Sequence, residues 1–223
     1  MGFLGLTGFG GGATGLSQAV EVCVPVYCTL DPSKRSANNP PTLSNGNLTV
    51  ATTGYGTGAS WTNCGSTISV ADDTGKYYFE VTYSTMAGTY QARFGIADAT
   101  RYPFTQNTSA TGLPWLGSNS NHTSWSLSLD GKKVYSDVQY TYTNSLTTTD
   151  VYGVALDTDN HTLTFYKNGS SLGQAFSSVS SSELTPAISY HTNSYNVATF
   201  NFGVSGFAYT PPANHKPFTV CES

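Results

Sequence analysis

Apolar and polar positions alternate with a period of two through much of this chain, the period of a pleated strand with one buried face. In GKYYFEVTYST, Tyr77, Phe79, Val81 and Tyr83 share one parity, while Tyr78, Glu80 and Thr82 share the other. In TSWSLSLDGKKVYS, Trp125, Leu127 and Leu129 alternate towards a hairpin turn at Asp130-Gly131. The most orderly stretch, VYGVALDTDNHTLTFYKNGSSLGQAF (151–176), predicts three strands joined by two turns. Val154 and Leu156 share a parity there, as do Leu163 and Phe165 on the returning strand, and Asn168-Gly169 is the strongest short hairpin signal available. Further strands are predicted at 20–30, where Pro25 suggests an edge, at LTVATT (48–53), within GSTISVA (65–71) before a turn at Asp72-Asp73-Thr74-Gly75, at YQARFGIAD (90–98), at LTPAISY (184–190) and at YNVATFNFG (195–203). DPSKRSANNPPTLSNGN (31–47) is a connector, and FAYTPPANHKPF (207–218) is a proline-punctuated tail. Residues 98–123 form a long connection of the kind that is usually functional or mobile. No internal repeat is present. These elements predict an all-β fold, an antiparallel two-sheet β-sandwich with its loops at the sheet ends.

Composition supports that reading and narrows the partners. Charged residues are 10% of the 223, against roughly 25% in average soluble domains. Solubility must therefore come from Ser, Thr, Asn and Gly. The 15 Tyr, 11 Phe and 3 Trp supply a sizeable core despite a hydrophobic content of only 38%. The net charge of −4, with only the isolated pairs Lys34-Arg35 and Lys132-Lys133, leaves nothing to neutralise a phosphate backbone, so nucleic acid is not an expected partner. Cys23, Cys28, Cys64 and Cys221 lack the paired spacing of a structural zinc site, and no metal or other cofactor is expected. A bridge between the first and last cysteines is geometrically open. Free or partly paired thiols acting as small apolar residues are the favoured expectation.

Catalysis finds little support. A glycosidase needs two carboxylates about 5–5.5 Å or 6.5–9.5 Å apart, yet none of Glu21, Glu80, Glu183 and Glu222 has an acidic partner at strand spacing. Asp157 and Asp159 come nearest, at a turn where Asp caps its own backbone. There is no G-x-S-x-G elbow, and His122, His161, His191 and His215 are scattered over expected loops and turns. The chain is read as a non-enzyme.

The first residues, MGFLGLTGFGGGATGLSQA, lack the basic region of a signal peptide and are too interrupted by Gly to span a bilayer, so no membrane insertion is expected. Glycine loses the most backbone entropy on ordering. The segment is therefore expected to be held by a neighbouring protein, with Phe3, Leu4, Leu6, Phe9 and Leu16 docking; folding back along its own domain is the alternative. Two units follow: an anchoring segment at 1–30 and a sandwich domain at 31–223.

The segments GKYYFEV (75–81), RFGIA (93–97), SWSLSLDGKKV (124–134), the long block 150–176, LTPAISY (184–190) and NFG (201–203) resemble a SPRY domain, in family order and over roughly residues 42–210. LSNGNLTV and FAYTPPANHKPF resemble the SPRY modules of bacteriophage structural and tail proteins more than the eukaryotic ones. The resemblance implies a concanavalin-like sandwich that binds partners through loops at one end, without catalysis. The expectation is a phage virion protein, assembled in the host cytoplasm and present as a homo-oligomer or in many copies. It would be attached to capsid or tail proteins by its first segment and would recognise a host-surface glycan or protein. The candidate ligand contacts are Tyr102, Phe104, Trp115 and His122 on the long connection, with Tyr190, His191 and Tyr195 near the end. They are chosen as exposed aromatic faces that stack on sugars; Trp115 and Tyr102 plugging the end of the core is the alternative. Two other functions stand beside this one: a decoration or cement protein of purely structural role, and a secreted lectin, which the sequons at Asn47, Asn107, Asn121, Asn160 and Asn168 would fit.

Overall fold

Thr, Val, Tyr and Phe dominate the periodic segments, and these side chains pack best on a pleated, half-buried surface. In the computed structural model, which describes residues 23–37, 39–52, 61–87, 92–105, 115–118, 124–191 and 194–222, they form strands and no helix. The first five are β1 (Val24–Tyr27), β2 (Leu30–Arg35), β3 (Thr42–Ser44), β4 (Thr49–Ala51) and β5 (Trp61–Ser66). The middle five are β6 (Lys76–Thr85), β7 (Ala92–Asp98), β8 (Ser124–Ser128), β9 (Lys132–Tyr135) and β10 (Val138–Thr141). The block predicted as three strands is β11 (Val151–Asp157), β12 (Thr162–Lys167) and β13 (Ser170–Ser177). Last come β14 (Leu184–His191), β15 (Val197–Asn201), β16 (His215–Pro217) and β17 (Thr219–Glu222).

Two sheets build the sandwich. One has the order β10-β9-β8-β7-β14-β5-β2, the other β13-β12-β11-β6-β15-β4-β3. Every ladder in these two runs is antiparallel. β16 alone runs parallel, pairing Lys76–Tyr78 of β6 below the point where β15 stops. A separate ribbon joins β1 to β17 and is closed by a disulfide between Cys23 and Cys221. This resolves the cysteine alternatives: one bridge joins the two ends of the fold, while Cys28 and Cys64 are free and fully buried. Burial pushes both of those thiols up, Cys64 to about 12, so they are inert apolar filling. The described part of the expected anchoring segment belongs to this body, since Cys28 and Leu30 lie in the core.

Parity decides what the core contains. Tyr77, Phe79, Val81 and Tyr83 of β6 all point between the sheets, with Phe94 and Ile96 of β7, Trp125 and Leu127 of β8, and Leu163 and Phe165 of β12. Phe79 stacks on Phe200 with centroids 5.8 Å apart, and Phe94 meets Phe165 edge-on at the same distance. The Asn168-Gly169 turn forms as predicted, with φ of 48° and 77°, values that suit the twist of a two-residue hairpin.

The opposite faces are covered as well. On β6 the tail lies across Tyr78 and Glu80: Phe207 packs edge-on against Tyr78, and the buried Glu80 carboxylate accepts the backbone N–H groups of Ala208 and Tyr209. On the other sheet the long connection packs Tyr102, Phe104 and Leu116 against Ala97 and Ala187. Gly65 is needed beneath it, because a Cβ there would come within 2.8 Å of the Phe104 ring.

One predicted strand moves. GSTISVA contributes little pairing beyond the bridge between Val70 and Leu184, and the paired strand lies earlier, at Trp61–Ser66. Its sequence, WTNCGS, does not alternate, because its polar side chains are buried and bonded within the protein. Ser66 Oγ donates to Pro186 O at 2.8 Å, and Asn63 Oδ1 accepts from the Tyr102 hydroxyl at 2.9 Å.

Candidate functional site

β5 starts at Trp61 and β14 ends at His191, and these two residues are direct cross-strand partners. They therefore mark one end of the sandwich, while Ser66 and Leu184 mark the other, about 17 Å away at strand rise. Arg93 lies one strand over, on β7, opposite Ser189 of β14. Trp115 reaches the same place from the long connection. The backbone beside it is fixed by three bonds: Leu116 N donates to Ser189 Oγ at 3.1 Å, Gly117 N to Ser124 Oγ at 2.8 Å, and Ser126 Oγ to Leu116 O at 2.9 Å.

These elements assemble a cation between two indoles. The Arg93 guanidinium carbon lies 4.9 Å from the Trp61 ring centre and 5.1 Å from that of Trp115. The two indoles are 5.6 Å apart, and His191 meets Trp61 edge-on at 5.5 Å. Arg93 is only 4% exposed, whereas Trp61, Trp115 and His191 are half-buried. Burial lowers the Arg93 guanidinium to about 10, against the opposing pull of Asp130, Tyr102 and Asp137, so it stays charged at neutral pH. Burial also lowers the His191 imidazole.

The electrostatics are left open. Nη1 of Arg93 donates to Leu116 O at a long 3.4 Å, and its Nε is buried without a hydrogen-bond partner among the described residues. The same is true of Trp115 Nε1. None of the ion pairs among the described residues involves Arg93. Two desolvated cation–π contacts offset about 2 kcal/mol each. An isolated buried ion still costs several.

The sequence-derived candidates divide sharply. Trp115 and His191 are brought together, around Trp61 and Arg93. Tyr195 stands on the turn between β14 and β15 and is 51% exposed. That turn is pinned by Asn196, whose Oδ1 accepts from Ala87 N at 3.0 Å and whose carbonyl accepts from Thr52 N at the same distance. Tyr102, Phe104 and Tyr190 are not exposed ligand contacts. Each is buried: Tyr190 follows the parity of Ile188 into the core, and Tyr102 and Phe104 pack the long connection onto the sheet. His122 and the expected anchoring residues Phe3, Leu4, Leu6, Phe9 and Leu16 lie outside the described residues. Trp61 and Arg93 escaped sequence reasoning. The available signal was an arginine within ARFGIAD, a strand too apolar to tolerate a charge without a purpose.

Elsewhere the titratable groups serve the frame. Asp157 pairs with Lys76 at 2.6 Å, and Asp159 Oδ1 accepts from Gly75 N at 2.9 Å. His161 and His215 sit at the end opposite His191, beside the turns that join β11 to β12 and lead into β16. Among the described residues no group of three or more His, Cys, Asp or Glu is placed to hold a metal ion.

Comparison with known proteins gives this arrangement a family. No curated protein matches the sequence. Among solved structures, the SPRY domain of human HERC1 superposes with a TM-score of 0.58 at 19% identity, covering 77% of this chain and 96% of that one. The TRIM65 PSpry domain gives 0.58 at 19%, covering 78% and 89%. A human SPRY domain gives 0.55 at 16%, covering 72% and 94%. At these identities the likeness is one of fold. The sequence profile of the SPRY domain matches residues 76–205, from the first residue of β6 to just past β15, so it takes in both central strands together with Arg93, Trp115 and His191, while Trp61 lies outside it. On that match over more than half its length, the chain belongs to the SPRY domain family, a family of protein-interaction modules.

Proposed function

We propose that this protein is a bacteriophage virion component whose sandwich presents the Trp61–Arg93–Trp115–His191 end to a host-surface glycan or protein. One observation carries the binding part: a buried guanidinium lies between two indoles with donors unmet, at the end of the sheets where β5 begins and β14 stops. Flat aromatic faces and unspent N–H donors are what a sugar ring or a polar protein loop uses for docking. Tyr195 adds an exposed ring next to Asn196, which is bonded to Ala87 and Thr52. The virion part rests on the phage-like flanking sequences and on the apolar, glycine-rich first segment. Cys23 sits at the pole opposite Trp61, so an anchor before it leaves the binding end pointing away from the particle. A single weak site of this kind gains about 10²–10⁴ in avidity when repeated on a particle.

The test is binding of the purified full chain to an array of bacterial surface polysaccharides and to bacterial cells, beside an Arg93→Met variant. Specific binding that the variant loses supports the reading. A well-folded chain that binds none of these surfaces overturns it. Deleting residues 2–19 then separates recognition from cement. Particles that lose the protein while the freed domain still binds cells assign recognition, and particles that fall apart with no cell binding assign a structural role.

A further inference from the structure

Each large sheet ends in edge strands whose backbone groups are open to pairing with another chain, and proteins usually guard such edges. Three of the four edges here are guarded. β2 carries Pro32, Lys34 and Arg35 and loses register between Leu30 and Arg35. β3 has three residues and follows Pro40-Pro41. β13 shifts register twice against β12. β10 has none of these devices. It reads VQYT, without charge, proline or register shift, and all four residues are exposed, with Val138 at 45% and Tyr140 at 55%.

The ladder fixes which groups are unspent. The β9–β10 hairpin turns at Ser136-Asp137, with φ of 53° and 62°, so its flanking pair Tyr135 and Val138 is the first bonded pair. Bonded and non-bonded pairs alternate along an antiparallel ladder. Further along, Tyr142 N donates to Gly131 O at 3.1 Å, in phase with that start. Val138, Tyr140 and Tyr142 therefore direct their backbone groups towards β9 and its turn. Gln139 and Thr141 direct theirs outward.

We propose that β10 is a self-association edge, along which two copies of this chain pair antiparallel about a two-fold axis at Gln139. In that register Gln139 meets its own counterpart as a bonded pair, each N–H donating to the other's C=O. Val138 of one copy lies across from Tyr140 of the other, twice, at the closely spaced non-bonded positions. A β-branched residue facing an aromatic is among the stabilising cross-strand pairs. Thr141 falls opposite Asp137, a hydroxyl facing a carboxylate, so no like charges meet. The contact is isologous and closes on itself, joining the two seven-stranded sheets edge to edge. A four-residue edge buries less than the roughly 1,000 Å² of a stable interface, so the pair is weak in solution and gains strength where copies are held side by side. The inference is independent of the binding end.

Cysteine trapping on the full chain tests the register, because a bonded pair has Cα atoms about 5.5 Å apart, within disulfide range. The native free thiols are buried and do not compete. Under mild oxidation Gln139→Cys gives a disulfide-linked dimer. Val138→Cys and Tyr140→Cys do not when separate, and do when mixed. In sedimentation velocity over a concentration series, Gln139→Pro, which removes an outward N–H and no bond to β9, raises the dimerisation midpoint at least tenfold. Tyr140→Lys gives the same shift if the proline variant fails to fold. A wild-type chain that stays monomeric at its highest soluble concentration overturns the proposal. So does a dimer that survives both substitutions, or Val138→Cys linking to itself as well as Gln139→Cys does.

Discussion

At the base of the sandwich the carboxylates are spoken for. Asp157 holds Lys76 and accepts from Asn160 N at 3.0 Å, Asp159 accepts from Gly75 N, and Asp72 accepts from Ser180 and Ser181. The ribbon of β1 and β17, closed by its disulfide, covers the same end through Phe218, which packs on Tyr77 with centroids 5.1 Å apart. At the far end Arg93 is nearly as buried as any core residue, yet it lies between two indoles with its Nε unpartnered among the described residues. A turn whose carboxylates are all matched gains rigidity and has little left to offer. A cluster left short of acceptors keeps bonding capacity, which is what the proposed binding end would draw on. The fold keeps these two uses of polarity at opposite poles of the same strands.

Breaking the base should produce the largest change in stability and the smallest in binding. Replacing Cys23 by Ser opens a bridge spanning 198 residues of sequence, and stability in chemical denaturation should fall by about 2–5 kcal/mol. Under native conditions the variant should bind its partner as tightly as the parent. Weaker binding would mean that the two poles are coupled. Arg93→Met is the reciprocal experiment. Binding measured by biolayer interferometry should drop at least tenfold, about 1.4 kcal/mol. The denaturation midpoint should hold or rise, because the charge has no ion-pair partner at bonding distance among the described residues and replacing buried charged groups with apolar residues of similar volume is often neutral or stabilising. A steep loss of stability would make Arg93 a structural residue.

A smaller effect is expected at Asp157. Burial pushes this carboxyl up, but the Lys76 ammonium and the Asn160 donors outweigh it and hold it down at about 2. Since its folded value lies below the unfolded value of about 3.9, its contribution is complete above pH ~4 and disappears as pH falls towards 2. Asp157→Asn should cost about 1 kcal/mol at neutral pH, and melting curves between pH 4 and 2 should be flatter than those of the parent. The mildest prediction concerns Tyr195. Its truncation to Ala should weaken binding a few-fold, with melting temperature unchanged, since its ring is exposed and its turn is held by Asn196.

Much of the frame was legible because its strands obey a simple alternation. β6, β8 and the β11–β13 block bury one parity, and a period of two identifies that parity from residues such as Phe79, Leu127, Val154 and Phe165. β5 broke the rule. Thr62, Asn63 and Ser66 are buried polar residues whose partners, Asn39, Tyr102 and Pro186, lie far away in the sequence. No local pattern records such a match. The same gap hid the site. Trp61 opens β5, the strand that alternation did not find, and Arg93 occupies the outward parity of β7, a face that is buried only because the long connection folds back over it. Tyr102 and Phe104 read as exposed from sequence for the same reason, since nothing local says that a loop lies flat on a sheet. Tyr190 differs, because the alternation of Ile188, Tyr190 and His191 already placed it inside.

The Cα atoms of Cys23 and Cys221 are 5.1 Å apart. A polypeptide thus enters and leaves the sandwich at virtually one point, like the two leads of a lamp socket. Such a cassette tolerates splicing into a loop of an unrelated scaffold without stretching either junction, and the grafted copy would hold its aromatic tip outward whatever carries it.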